Sequence, residues 1–356
     1  ALVSFIPMLL SWVWILGIMA IAGIEFNIVN IIVSALIFGL GDDYSLFIME
    51  GLLLEYKTGK KIVASYKSSI ILSAITTIAG LGALLLAQHP ALRSIAFISV
   101  TGILCVVLMS QVLIPFFFSI LITNRTSKKL APWTLWGWTR SIFSFLFFAV
   151  VALLLTLIGF ILVRLNPFNK EKGKKIYHWL LMKFTGVTLK TMVNFGKVVH
   201  NPLQENFSKP AVIIANHQSF LDILAMCMLS PRTILLTNKW VWRSPIFGAV
   251  VKLADFYPVA DGIENSVELM RDRVKNGYSI IVFPEGTRSS EPPMKRFHKG
   301  AFYLAEQLHL DIVPIILHGT GYTMKKGDFL LKNGTITVHY LPRIAADDSS
   351  FGVGYA

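Results

Sequence analysis

Five long apolar runs, at roughly 1–23, 28–50, 68–87, 94–123 and 141–164, constrain this chain more than any other feature. Each is near or above the ~20 residues an α-helix needs to cross the hydrocarbon core of a bilayer. The whole chain agrees: of 356 residues, 54% are hydrophobic and only 15% charged, which is not the composition of a soluble globular domain. A net charge of +13 points to anionic lipid headgroups or an anionic substrate. The basic residues are scattered and no nucleic-acid motif accompanies them, so no nucleic-acid partner is expected. There are two cysteines: Cys105 falls in an apolar run and Cys227 in an expected helix, which supports neither a disulfide framework nor a cysteine metal site. The chain begins at Ala1 in mid-hydrophobic sequence and stops at "FGVGYA", and is read as a fragment of a longer polypeptide.

After Arg164 the pattern changes. Short β-rich runs ("AVIIA", "TILLT", "YSIIVF", "IVPIIL", "TITVHYL") alternate with amphipathic stretches such as "SVELMRDRVKNG" and "GAFYLAEQLH". That alternation predicts an α/β domain, with Gly277 as a helix C-cap just before a strand. The expected architecture is a membrane α-helical bundle of four to five spans followed by an α/β domain with a mixed central sheet. The expected divisions are membrane spans over 1–123, a linker over 124–140, a hydrophobic anchor over 141–164 and the α/β domain over 165–356. Lys57, Lys60, Lys61 and Lys67 share one side with Arg125, Lys128, Lys129 and Arg140 if 68–87 and 94–123 each cross once, and the positive-inside rule makes that side cytoplasmic. Lys170, Lys172, Lys174 and Lys175 then follow the 141–164 run, which favours a re-entrant or interfacial anchor there.

The chemistry concentrates after two of the expected strands. "ANHQSFLD" sets His217 and Asp222 five residues apart at a strand-to-helix turn. Ser219 reads as an N-cap with Asp222 at N3, a near relative of the capping box. The same geometry allows a catalytic pair, because a carboxylate at a helix start stays ionised and can fix the tautomer of a histidine base. No further His or Cys has ligand spacing to the pair, so no metal is expected. The second signal is "VFPEGTRSS" (282–290). Gly286 permits close backbone approach there, and the Gly286 and Thr287 amides with Arg288 are candidates to hold a phosphate. Glu285 is free either to bond a substrate hydroxyl or to orient Arg288. Lys295, Arg296, His298 and Lys299 follow as a basic patch, and "VPIILHG" puts Pro314 at a strand start. In the apolar half, "FGLGDDYSLF" places Asp42 and Asp43 inside a span, where a charged side chain costs ~2.5–3.5 kcal/mol and marks a functional candidate.

"NHQSFLD", "FPEGTRS" and "VPIILHG", in this order and at these separations, resemble the glycerolipid acyltransferase family over about 141–345, the best-known members being 1-acyl-glycerol-3-phosphate acyltransferases. The resemblance implies His217 as the base that takes the acceptor's hydroxyl proton, with Asp222 as its partner. It implies Glu285, Gly286, Thr287 and Arg288 as glycerol phosphate ligands and Pro314 on the acyl side. The family's intermediate motif ends in an acid followed by arginine; here "FYPVADG" offers Asp261 and then Gly262, and Lys239 is the candidate to replace the missing cation. The implied partners are membrane lipids, a lysophospholipid acceptor and an acyl-coenzyme A or acyl-carrier-protein donor, with no bound cofactor. A differing acceptor, such as an acylated amino acid, is the alternative that the missing arginine motivates.

"GLGDDY", "ILSAITTIAGLGALLLA" and "HPALRSIAFISVTGI" resemble the C-terminal spans of resistance–nodulation–division exporters over about 1–123, in particular the mycobacterial-membrane-protein-large-like lipid exporters. That resemblance implies a proton relay through Asp43 with Tyr44 beside it, a bacterial inner-membrane location, and a second alternative in which export is the main function.

Overall fold

The computed structural model describes residues 2–25, 27–165, 169–192, 197–245, 247–258, 264–289 and 294–348. They fall into two units, Ala1–Pro132 and Trp133–Ala356, whose boundary lies inside the segment read as a linker.

The first unit is helical: α1 (Phe5–Ile21), α2 (Ile28–Thr58), α3 (Val63–Gly82), α4 (Pro90–Phe118), then a π-helical turn (Ser119–Thr123) and the short α5 (Asn124–Ser127). The helices over α2, α3 and α4 are each long and apolar enough to cross a membrane; α1, with 17 residues, is shorter. Their ends follow local rules. Glu55 Oε2 accepts the Ile62 and Val63 N–H groups at 3.0 and 3.1 Å, a carboxylate at the N-terminus of α3. His89 Nδ1 accepts the Ala91 N–H at 3.2 Å, with Pro90 opening α4. α4 packs on α1, α2 and α3, and glycines bring α2 and α4 close: Gly41 faces Val106, and Gly102 faces Ile37.

The second unit opens with α6 (Leu135–Gly159), continued as a π-helical turn to Arg164, and α7 (Lys170–Met192). A seven-stranded sheet follows: β1 (Lys197–His200), β2 (Ala211–Ala215), β3 (Thr233–Thr237), β4 (Tyr257–Pro258), β5 (Ser279–Val282), β6 (Asp311–His318) and β7 (Ile336–Tyr340). Between them run α8 (Leu221–Cys227), α9 (Lys239–Trp242), α10 (Gly248–Leu253), α11 (Glu264–Lys275), α12 (Gly300–Leu308) and α13 (Thr320–Thr323). The order is β1-β7-β6-β2-β5-β3-β4, and every neighbouring pair is parallel except β6–β7. The sheet is therefore mixed. Every residue of β2, β3 and β5 is buried, as continuous Val/Ile/Leu runs covered on both faces require. Gly277 takes φ +88°, the left-handed cap expected of it.

α6 has two characters. With its π turn it is long and apolar enough to cross a membrane, yet Val151, Ala152 and Leu155 belong to the core of the α/β unit. Ser144 donates to Met192 O at 3.2 Å and the Ser141 hydroxyl accepts the Leu331 N–H at 3.0 Å, while Ile142, Leu146, Leu153 and Leu157 remain exposed on the other face.

The register of β2 against β5 sets up the site. Ile214 pairs with Val282, so His217 and Glu285 each stand three residues past the same rung. Loops at the carboxyl ends of neighbouring parallel strands are where open α/β sheets bind ligands.

Candidate active site

In the loop between β2 and α8, His217 Nδ1 lies 2.9 Å from Asp222 Oδ2. That oxygen also accepts the Gln218 and Ser219 N–H groups at 2.6 and 2.7 Å. The Ser219 bond is the acidic half of the expected capping box, so capping and pairing with histidine are done by one carboxylate. Ser219 itself does not complete the box. Its hydroxyl donates to Met324 O at 2.8 Å, and the residue before the helix is Phe220. Asp222 is wholly buried, and among the described residues its other oxygen, Oδ1, has no hydrogen-bond partner. Two backbone donors and His217 Nδ1 thus meet on one oxygen, and an imidazole that donates from Nδ1 carries its lone pair on Nε2. Phe283 stacks on the ring, with centroids 4.2 Å apart, and holds its plane.

The β5–α12 loop grips the backbone of the same residue. His217 N–H donates to Glu285 Oε1 at 2.8 Å, and Ser289 N–H donates to His217 O at 2.7 Å. Glu285 Oε2 accepts the Ser289 hydroxyl and, at 3.1 Å, the Lys295 N–H. Glu285 is 1% exposed. Its carboxylate is committed to the protein, where sequence reasoning had it facing substrate or Arg288. Gly286, at φ +67°, donates its N–H to Phe283 O at 3.0 Å, so that amide does not serve as an anion donor. The His298 ring lies 3.1 Å from where a Cβ on Gly286 would stand. A side chain there would be strained in its backbone and pressed against His298.

These loops rim a cavity of about 580 Å³. Its body is apolar, built from Phe148, Val151 and Leu155 of α6, Leu181 and Phe184 of α7, and Phe220 and Leu224 beside the histidine loop. Its polar residues include His217, Thr287, Arg288, His298 and Lys326. Cys227 also lines it, but burial pushes the thiol up to about 12, so it is no thiolate nucleophile.

The structure thus gathers His217, Asp222, Glu285, Gly286, Thr287 and Arg288, and sets Lys239 and Pro314 apart from them. Lys239 is exposed at the start of α9, although its neighbours Asn238 and Trp240 line the wall. Pro314 sits in β6 opposite Ile214, and its carbonyl accepts the Leu341 N–H at 3.0 Å, so it shapes the sheet. Asp261 and Gly262 lie outside the described residues. In the first unit α2 runs unbroken through the acidic pair. Asp43 is exposed and Tyr44 buried; Asp42 Oδ1 and the Tyr44 hydroxyl are buried without a hydrogen-bond partner among the described residues.

Sequence reasoning missed three members. Asn216, buried, exchanges two bonds with Leu317, at 2.8 and 2.7 Å, extending the β2–β6 ladder by a side chain. Phe283 and Lys326 are the others. Asn216 and Phe283 sit inside quoted motifs and were overlooked; Lys326 carried no motif signal.

Residues 197–318 match the Acyltransferase family model and residues 2–144 the MMPL family model. The chain thus carries a stretch that matches the MMPL family model, followed by one that matches the Acyltransferase family model. The chain is 38% identical, across 150 residues, to a 1-acyl-sn-glycerol-3-phosphate acyltransferase of Limnanthes alba, covering 40% of this chain and 53% of that one. A Saccharomyces cerevisiae protein with the same description is 32% identical over 154 residues, covering 41% of this chain and 51% of its own. The chain spans about half the length of these relatives. The crystal structure of a 1-acyl-sn-glycerophosphate acyltransferase from Thermotoga maritima superposes with a TM-score of 0.45 at 22% identity, covering 56% of this chain and 89% of that one.

Proposed function

We propose that the protein is a membrane-bound acyltransferase that moves a fatty acyl group from an acyl thioester to the free hydroxyl of 1-acyl-glycerol-3-phosphate, giving phosphatidic acid. The observation that carries this reading is the about 580 Å³ cavity, whose apolar body suits acyl chains and whose lining brings together the His217 base, Thr287 and Arg288. The relatives named above are described as acting on this class of acceptor.

In this mechanism Asp222 holds His217 with Nε2 ready to accept a proton. The acceptor hydroxyl attacks the thioester carbonyl as its proton passes to Nε2. The tetrahedral intermediate then expels the thiolate, which leaves as the thiol with the proton from His217. Arg288 pairs with the acceptor's phosphate and fixes the hydroxyl against the base. No covalent enzyme intermediate is involved. The donor is a thioester of coenzyme A or acyl-carrier protein.

The location proposed is a bacterial inner membrane, with the acyltransferase domain on the cytoplasmic face; the basic loops around residues 57–67 and 125–140 support that orientation. For the MMPL-family segment, Asp43 and Tyr44 are proposed as proton-relay groups. Lipid export left intact by Asp43→Asn would remove Asp43 from that role.

The test of the main reading uses the full chain in detergent–phospholipid micelles, supplied with 1-acyl-glycerol-3-phosphate and either acyl thioester. Phosphatidic acid should form, and His217→Ala should lower turnover by about 10²–10⁴-fold. No product with either donor, or an unchanged His217→Ala enzyme, would sink the proposal.

A further inference from the structure

Among the described residues the charges lining the cavity are of one sign: Arg288 and Lys326 are cations, and none of the lining residues is Asp or Glu. Asp222 and Glu285, the acids within the two motifs, are 0% and 1% exposed and bonded to protein donors. A cavity with an apolar body and two cations fits an amphiphile with an anionic head.

Lys326 is held in place. Its Nζ donates to Arg288 O at 3.1 Å and approaches Thr287 Oγ1 at 3.4 Å, and an ammonium group has a third N–H to offer. The segment carrying it is docked on the histidine loop. The Ser219 hydroxyl donates to Met324 O at 2.8 Å, and Gly321 passes so close to Gln218 that a Cβ there would stand 2.9 Å from its Oε1. Three loops, after β2, β5 and β6, therefore converge, and the third contributes a cation. That residue lies beyond the 197–318 stretch matched by the acyltransferase family model.

Charge matching says what this second cation is for. A phosphate monoester carries about −1.5 to −2 near neutral pH; a diester headgroup carries one negative charge, which Arg288 alone balances. We propose that Lys326 is the second cation of the acceptor's phosphate site and selects a phosphate monoester over a phosphodiester acceptor. It supplies the charge that the Asp261–Gly262 pair, read in sequence as lacking its arginine, does not. This inference rests on the proposed acyltransferase reading. A phosphate could also belong to the donor's carrier, so the experiment varies both substrates.

Steady-state kinetics of the full chain, Lys326→Gln and Lys326→Arg would be measured with 1-acyl-glycerol-3-phosphate, with its glycerophosphoglycerol diester counterpart, and across donor concentrations. Lys326→Gln should raise KM for the monoester about 10- to 100-fold, the scale of one charge-assisted bond. KM for the diester and for the donor should move less than about threefold, and Lys326→Arg should restore most of the monoester KM. Equal losses on both acceptors, a change in donor KM alone, or no change would each overturn the role of Lys326. Lack of transfer by the unsubstituted chain would instead overturn the acyltransferase reading, so the two failures are separable.

Discussion

The segments after β2 and β5 start from a similar arrangement and do different work. Each follows a fully buried strand, and each carries a buried carboxylate, Asp222 in one element and Glu285 in the other. Asp222 holds the ring of His217, whereas Glu285 holds its backbone N–H. An acid beside a motif arginine is therefore not always a ligand for substrate. In the proposed mechanism that difference gives one carboxylate to the ring of the base and the other to its backbone.

The largest effect should come from Asp222→Asn. The Gln218 and Ser219 N–H groups require an acceptor at the Oδ2 site, so an amide keeps its oxygen there, supplies no negative charge to the ring and turns its NH2 to the buried Oδ1 site. Turnover should fall by about 10²–10⁴-fold. Retained turnover would mean that the acid only caps α8. Glu285→Gln should act differently, since its buried amide would face the Lys295 N–H, donor against donor. A stability loss of about 1–3 kcal/mol is expected, or about 2–10 °C in Tm, with a drop in kcat of about 10- to 100-fold. Loss of turnover without a fall in Tm would put Glu285 on the substrate after all.

A histidine outside both loops sharpens the contrast. Burial, helped by the charges of Arg273 and Lys174, lowers His178 on α7 to about 3, and Tyr278 packs on its ring at 4.9 Å. Unfolded histidine titrates near ~6.5, so below that value the unfolded chain binds a proton that the folded one refuses. Stability should be fully present above pH ~6.5 and decline as pH falls towards 3. His178→Leu should flatten that acid limb in thermal melts with little effect on turnover at neutral pH. An unchanged limb would show that other groups set it.

Much of this was legible in the sequence, and the reasons differ by element. "AVIIA", "TILLT" and "SIIV" were readable because a buried parallel strand must be apolar at every position. The His217–Asp222 pair was readable because its partners are five residues apart. β4 was not, being two residues long and containing Pro258. α7 was missed because it begins with lysines around Gly173, and its buried face becomes visible only against α6 and α8. The role of Glu285 depends on a backbone group 68 residues away, brought near by strand register. Lys326 depends on how the segment after β6 docks through Ser219 and Met324. Local pattern shows chemistry carried within one turn; it does not show chemistry assembled by the sheet.

The central claim is that His217 and Asp222 act as one base. It is tested most directly by a double-mutant cycle on kcat/KM for acyl transfer to 1-acyl-glycerol-3-phosphate, with His217→Ala, Asp222→Asn and the combined variant. The combined variant should be no more than about threefold worse than His217→Ala, because removing the partner of an absent base costs nothing further. Losses that multiply would contradict the account and give Asp222 a function independent of the histidine it holds.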